Sequence, residues 1–319
     1  MYEWSMGSAI NNAGVNSRLY SQYLVVKQIL DYCLEHQIKH VFFGGDWFHT
    51  FNTISAITLH WSIKSLQLLT DNQIQVYIND GNHDHATRSG QYTSLTAFER
   101  PYCYVSQDRS FDVGGLKVKM VGYKENRDAL LMNIEHEHVD MLFLHQGVSG
   151  EPMLSGFVIP NEILRPSDIP SDTICWTGHY HNHKIISPNL TIVGAPLQHT
   201  WGDAGQTRGW IDYNTDTGEM LHIESKAPKF LNNPEPGTDV TGHFVRTTCS
   251  TKEHEKAAYI QVLTEEEVPV TIHNLELPTD LSPVALTRKY AEHAKLNDNL
   301  TAIGISLAEG SYETGHTGD

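Results

Sequence analysis

The sequence predicts an α/β sandwich, because short apolar runs of β type alternate along the chain with segments of helical periodicity. Four of the β-type runs are followed directly by a motif rich in carboxylate, amide or imidazole groups. Since side chains just beyond strand ends converge on one crevice in layered α/β folds, we expect these motifs to meet in a single site. The motifs are Gly44-Gly45-Asp46-Trp47-Phe48-His49, Gly81-Asn82-His83-Asp84, Leu144-His145-Gln146 and Gly178-His179-Tyr180-His181.

The first 190 residues contain the clearest pattern of alternating elements. Asn16 or Ser17 can cap a helix that runs to about residue 37, with apolar residues at helical spacing. A second helix is expected to be capped near Asn52 or Thr53, between β-type runs. The other expected elements are strands at 41–43, 76–78, 118–121, 141–144 and 173–176, and a helix near 125–136.

From about residue 190 the pattern changes to strands and hairpins, such as 210–213 and 220–223 around the turn Asp216–Gly218. A Pro- and Asn-rich stretch at 227–237 predicts a domain boundary. We therefore assign 1–228 to the main domain, 229–308 to a small α+β cap, and 309–319 to a disordered tail. In the cap the sequence predicts strands at 243–247 and 268–277 and helices at 252–262 and 283–296.

Composition and charge limit the classes of function. A hydrophobic content of 39% is enough for a packed core, and no apolar run approaches the roughly 20 residues of a membrane span. The start of the chain lacks the basic and apolar regions of a signal peptide, and the four cysteines are scattered, as in a reducing cytoplasm. The net charge of −16, without a basic patch, indicates that any nucleic-acid substrate is held by metals, a few local cations or a partner subunit.

The motif residues are individually ordinary but unusual as a set. A Gly-Asp pair at a strand end is usually a turn, and a lone His145 is as often a satisfied core histidine as a ligand. His179 and His181, however, lie two residues apart and so on one side of an extended segment. A carboxylate, an amide and several imidazoles form a ligand set for Mn²⁺, Zn²⁺ or Fe. Two such metals held close together can cleave phosphate esters.

The order of the motifs resembles that of the calcineurin-like metallophosphoesterases. Gly45–His49, the preceding helix with Arg18 near its start, and the segment Gly194–Gly202 are similar to one branch, the SbcD-type repair nuclease subunits and their bacteriophage counterparts. The resemblance covers roughly residues 3 to 225. It implies a four-layer α-β-β-α sandwich and a two-metal centre that uses Mn²⁺, with Zn²⁺ or Fe as alternatives.

The resemblance also implies which residues bind the metals. Asp46 would bridge them, and His181 would contribute to one position, which we call metal site B. The other position, metal site A, would be formed by Asp46 with Asn82, His145 and His179. Because that ligand set is complete, we expect site A to bind metal more tightly than site B.

The implied catalytic residues are His83, which would act on the leaving group or the scissile phosphate, and Asp84, which would orient the His83 ring. The chain departs from the family at its start, where an Asp-X-His motif supplies ligands of site B. Glu3 stands in the register of the Asp, and Ser5 in that of the His. Glu3 has a longer arm that could still reach a metal, whereas serine is a poor ligand, so site B is expected to be weak or empty.

Three functions follow as alternatives. The first is a phosphodiesterase that acts on DNA ends as an exo- or endonuclease subunit, with an SMC-like ATPase of SbcC type as partner, in the cytoplasm of a bacterial or phage-infected cell. The second is a phosphoesterase for small molecules, and the third is a catalytically weakened scaffold subunit. The helix expected at 283–296 would pack on the cap itself, or dock the ATPase or a second copy of the chain as a homodimer.

Overall fold

The computed structural model describes residues 1–12, 14–50, 53–87, 90–106, 108–135, 138–152, 158, 162–249, 251–263, 283–293, 297 and 300–306. By its internal contacts the chain divides into two compact units, Met1–Val262 and Leu263–Asp319. All of the predicted site residues lie in the first unit.

The first unit contains three α-helices and fourteen strands among its described residues. The helices are α1 (Ser17–Glu35), α2 (Ala56–Thr70) and α3 (Arg127–Glu135). The strands are β1 (His40–Phe43), β2 (Gln75–Ile78), β3 (Cys103–Val105), β4 (Arg109–Val113), β5 (Leu116–Val121), β6 (Met141–Leu144), β7 (Ile174–Thr177), β8 (Lys184–Ser187), β9 (Leu190–Ile192), β10 (Gly209–Tyr213), β11 (Met220–Glu224), β12 (Phe230–Asn232), β13 (Phe244–Thr247) and β14 (Tyr259–Val262). In the second unit, α4 spans Pro283–His293, and residues 300–306 are helical.

The two long helices begin at polar caps. The side chain of Asn16 accepts hydrogen bonds from the backbone N–H groups of Arg18 and Leu19, which confirms the predicted start of α1. Helix α2 begins two or three residues later than predicted. Its cap is Ser55, whose side chain accepts a hydrogen bond from the backbone N–H of Thr58.

Two sheets place the predicted motifs side by side. Strands β1, β2 and β3 form a parallel sheet in that order. The second sheet has the order β4-β5-β6-β7-β9-β8, with β5, β6, β7 and β9 parallel. Neighbouring strands β1 and β2 therefore carry Asp46 and Asn82 just beyond their ends, and neighbouring strands β6 and β7 carry His145 and His179.

Alternation along the strands produces the layers. In β2, Val76 and Ile78 pack with α1 and α2, whereas Tyr77 faces the second sheet. In β6, Leu142 packs with α3, whereas Phe143 faces the first sheet and stacks on Phe42 with ring centroids 4.4 Å apart. The layer order is thus α-β-β-α, and the predicted α/β sandwich is confirmed.

The region after residue 225 differs in part from the prediction. The helix expected at 252–262 is wrong: Lys252–Lys256 is a short 3₁₀ turn, and Tyr259–Val262 is strand β14. Parallel pairing with β13, in which Val245 lies opposite Ile260, stabilises that segment as a strand. Residues 229–262, assigned to the cap from the sequence, form β12–β14 within the first unit. The strand expected at 268–277 and the tail at 309–319 lie outside the described residues.

No helix in the described part of the chain is long and apolar enough to cross a membrane. All four cysteines are free thiols.

Candidate metal centre

Three of the predicted ligands lie together at the ends of β1, β6 and β7. Asp46, His145 and His179 each offer a ligand atom, and these atoms all lie within 4.8 Å of one another. Asp46 Oδ2 is 3.2 Å from His145 Nε2, and Asn82 Oδ1 is 3.1 Å from His179 Nδ1. The structure therefore brings together all four residues of site A, a cluster that could hold a metal ion, while their role as ligands stays a prediction.

The backbone at the cluster requires its glycines. Asp46 and His179 both have positive φ angles, of 58° and 75°, a conformation that non-glycine residues adopt rarely and often at functional sites. A Cβ atom on Gly45 would lie 2.2 Å from His145 Nδ1, and one on Gly81 would lie 2.1 Å from Asp46 Oδ1. Both glycines are needed because the Asp46 loop and the His145 ring approach so closely.

His145 is held with one nitrogen directed to the cluster. Its Nδ1–H donates to the carbonyl of Gly44 at 2.6 Å, which leaves Nε2 facing Asp46. Nε2 is buried and has no hydrogen-bond partner among the described residues, and a bound metal would satisfy it. Burial alone lowers the pKa of His145, but the Asp46 carboxylate and the Gly44 carbonyl outweigh it, so the pKa lies above its usual value.

Asp46 is the negative group of the cluster. Burial alone would raise the pKa of its carboxyl group, but the His145 imidazole and the backbone N–H of His83 outweigh this effect, so the pKa lies below its usual value. The His83 N–H donates to Asp46 Oδ1 at 2.9 Å. Asp46 is thus ionised, as a metal-bridging carboxylate must be.

A further carboxylate, Glu162, lies beside His179, and no sequence motif indicated it. Nδ1 of His179 faces Asn82, and its other nitrogen, Nε2, is 3.9 Å from Glu162 Oε1. The Tyr180 hydroxyl donates to the same Glu162 oxygen at 2.9 Å. Burial, with a smaller contribution from His145, lowers the pKa of His179 to about 4. The imidazole is therefore neutral, as a metal ligand must be. A carboxylate on the far nitrogen of a metal-binding histidine commonly fixes its ring.

His83 and Asp84 have different surroundings. His83 Nδ1–H donates to the carbonyl of His49 at 2.6 Å, so proton transfer by this ring must use Nε2. Asp84 is fully buried and accepts three backbone N–H groups, from Trp47, Phe48 and Gly81, at 3.0 to 3.1 Å. In the structure, therefore, the His49 carbonyl orients the His83 ring at Nδ1, and Asp84 ties the loop after β1 to the loop after β2.

The residues expected at site B are more dispersed. The Glu3 carboxylate is hydrogen-bonded to the hydroxyl groups of Ser55 and Thr58, at the start of α2. Ser5 is exposed. His181 is exposed beyond the end of β7, and its ring centroid is 5.1 Å from that of His199. In this structure the Glu3 carboxylate is therefore engaged by two hydroxyl groups at the start of α2. His181 has a histidine neighbour in the segment Gly194–Gly202, to which the sequence assigned no ligand role.

Comparison with known proteins assigns neither a family nor a function. No family model matches the chain, and no curated protein matches it. Among solved structures, 29 chains match. One of them is described as a novel archaeal phosphodiesterase; it is 14% identical, with a TM-score of 0.37, over 65% of this chain and 95% of that chain. A likeness this low assigns no function, so the resemblance to calcineurin-like metallophosphoesterases stays a prediction.

Proposed function

We propose that this protein is a metal-dependent phosphodiesterase whose metal is held by Asp46, Asn82, His145 and His179. The observation that supports the proposal is the buried His145 Nε2, which faces an ionised carboxylate and has no other partner among the described residues. When bound, a divalent metal polarises a phosphoryl oxygen and makes the phosphorus easier to attack.

The chain itself supplies positioning and proton transfer. The backbone N–H of His83 is fixed on Asp46, so the imidazole is carried beside the metal ligands. With Nδ1 engaged by His49, protonated Nε2 can donate to the oxygen that leaves phosphorus. The half-exposed ring allows a substrate to approach from solvent.

The substrate we propose is DNA, cut at its ends with the help of an SMC-like ATPase partner of SbcC type. The net charge of −16 supports the need for a partner, because a surface of that sign repels the phosphate backbone. A small-molecule diester remains the alternative substrate. Comparison of a chromogenic diester with linear double-stranded DNA, each with and without the ATPase, separates the two.

The experiment that tests the function measures hydrolysis of bis(p-nitrophenyl) phosphate by the full chain after chelator treatment and reloading with Mn²⁺. We expect turnover only in the reloaded protein, and its loss in His145→Ala with retention in the matched control His222→Ala, a half-buried histidine on β11. Full activity of His145→Ala would contradict the proposal.

A catalytically weakened scaffold is the second candidate, and one observation favours it. The Glu3 carboxylate, which would be the acidic ligand of site B, is used at the start of α2 instead. A folded, metal-loaded protein without turnover on either substrate would support the scaffold and exclude the enzyme.

A further inference from the structure

We propose that His199 contributes to metal site B, so that His181 and His199 together bind a second divalent metal. This inference rests on the metal-dependent function proposed above. His199 would take the place of Ser5, which stands in the register of a histidine ligand. His199 lies in the segment Gly194–Gly202, but the sequence assigned it no role as a ligand.

The spacing of the two rings fits a shared metal. With metal–nitrogen bonds of about 2.1 Å and near-tetrahedral angles, the centroids of two imidazoles on one metal lie about 5 Å apart. The His181 and His199 centroids are 5.1 Å apart with an interplanar angle of 55°. The pair in site A, His145 and His179, has nearly the same spacing of 5.2 Å, at 82°.

Stacked histidine pairs elsewhere in the chain differ in orientation. His183 and His222 are 4.8 Å apart, but their rings are nearly parallel, with an angle of 13°. Two parallel rings do not readily direct nitrogens to one atom between them. The tilted arrangement is therefore shared by the site A pair and by His181 with His199.

An unsatisfied nitrogen points to the same conclusion. Nδ1 of His199 is buried and has no hydrogen-bond partner among the described residues, as is true of Nε2 of His145 in site A. A buried polar atom without a partner costs free energy unless a ligand satisfies it. A metal would satisfy both nitrogens.

A buried network ties the two histidine segments together. Arg208 forms an ion pair with Asp203 at 2.7 Å and donates to the side chain of Asn182, next to His181, at 2.8 Å. The backbone N–H of His199 donates to the second oxygen of Asp203 at 2.8 Å. Because the ion pair is almost fully buried, the network fixes both segments before any metal arrives.

The charges nearby determine the order of binding. Asp46 lies close enough to His181 to act on it electrostatically, and Asp203 acts on both histidines. Arg18 opposes a dication, because its guanidinium donates to the carbonyl of His199 at 2.6 Å. Site B therefore fills after site A and binds more weakly.

The test counts metals. Equilibrium dialysis of the full chain against Mn²⁺, with metal measured by mass spectrometry, should give two equivalents with the second more weakly bound. Electron paramagnetic resonance should show spin coupling between them. His199→Ala and His181→Ala should bind one equivalent, with the second affinity at least about 100-fold weaker, a larger loss than supporting residues usually cause. The control His222→Ala should bind two.

Two results overturn the inference. The first is that the wild-type protein binds a single equivalent of metal and that His145→Ala removes it. The proposed function would then still stand. The other is His199→Ala with both equivalents and unchanged affinities. If His199→Ala fails to fold, His199→Gln keeps a polar side chain of similar length and is measured in its place. Failure of the wild type to bind any metal would refute the proposed function as well.

Discussion

We expect Asp84→Asn to weaken folding and metal binding together, because its carboxylate accepts three buried backbone N–H groups at 3.0 to 3.1 Å. An asparagine has one acceptor oxygen, so at least one of these N–H groups loses its partner. Each buried group left unsatisfied costs about 1–3 kcal/mol. Burial, followed by the charge of Asp46, raises the pKa of Asp84 to about 6. The neutral amide of the asparagine avoids the cost of burying that charge, which offsets part of the destabilisation.

The net expectation is a destabilisation of about 1–3 kcal/mol, or a melting temperature lower by several degrees in a domain of this size. Mn²⁺ affinity should fall as well, since the Trp47 and Gly81 amides belong to the loops that carry Asp46 and Asn82. Chemical denaturation and titration of Mn²⁺ measure the two effects, and Asp216→Asn, in an exposed turn, is the matched control.

A different outcome would refute this reasoning. If Asp84→Asn keeps its stability and metal affinity but loses turnover as His83→Ala does, then Asp84 acts through the His83 ring, as the sequence predicted. The two variants therefore separate an orienting role from a structural one.

The remaining predictions concern single groups around the centre. His83→Ala should lower turnover by about 10²–10⁴-fold, with metal content and melting temperature nearly unchanged; loss of metal would show instead that His83 is a ligand. Glu162→Gln should weaken Mn²⁺ binding about 10–100-fold, because it removes the carboxylate beside His179, and unchanged affinity in a dialysis titration would contradict this. Asp203→Asn should destabilise the protein by about 3–5 kcal/mol in urea denaturation, because Arg208 would stay buried without its partner; a change as small as that of Asp216→Asn would disprove it.

The four residues that the sequence assigned to site A lie together because each one follows a strand. Asp46, Asn82, His145 and His179 lie just beyond four strands whose ends meet at one edge of the sandwich, and that geometry depends on the parallel order alone. Successive side chains of a strand point to opposite faces, so the apolar runs of these strands supply both the helix-facing and the sheet-facing layers.

Residues in loops that do not directly follow a strand could not be placed by such reasoning. Glu162 is recognisable only through its contacts with His179 and Tyr180, and the loop before β7 gives it no fixed spacing from either. His199 is likewise positioned by a buried ion pair that no local pattern reveals. The helix predicted at 252–262 was wrong for a related reason. Pairing with β13 holds part of that segment as a strand, although its local sequence also allows a helix.

The proposed ligands of site A are divided between the two sheets, and this division has a mechanical consequence. Asp46 and Asn82 are attached to one sheet, and His145 and His179 to the other, so a metal in site A is a crosslink across the aromatic seam where Phe42 stacks on Phe143. A ligand that binds only the folded chain adds free energy of unfolding that grows with its concentration. If the proposed function holds, metal supply would therefore set how firmly the two sheets hold together as well as the rate of hydrolysis.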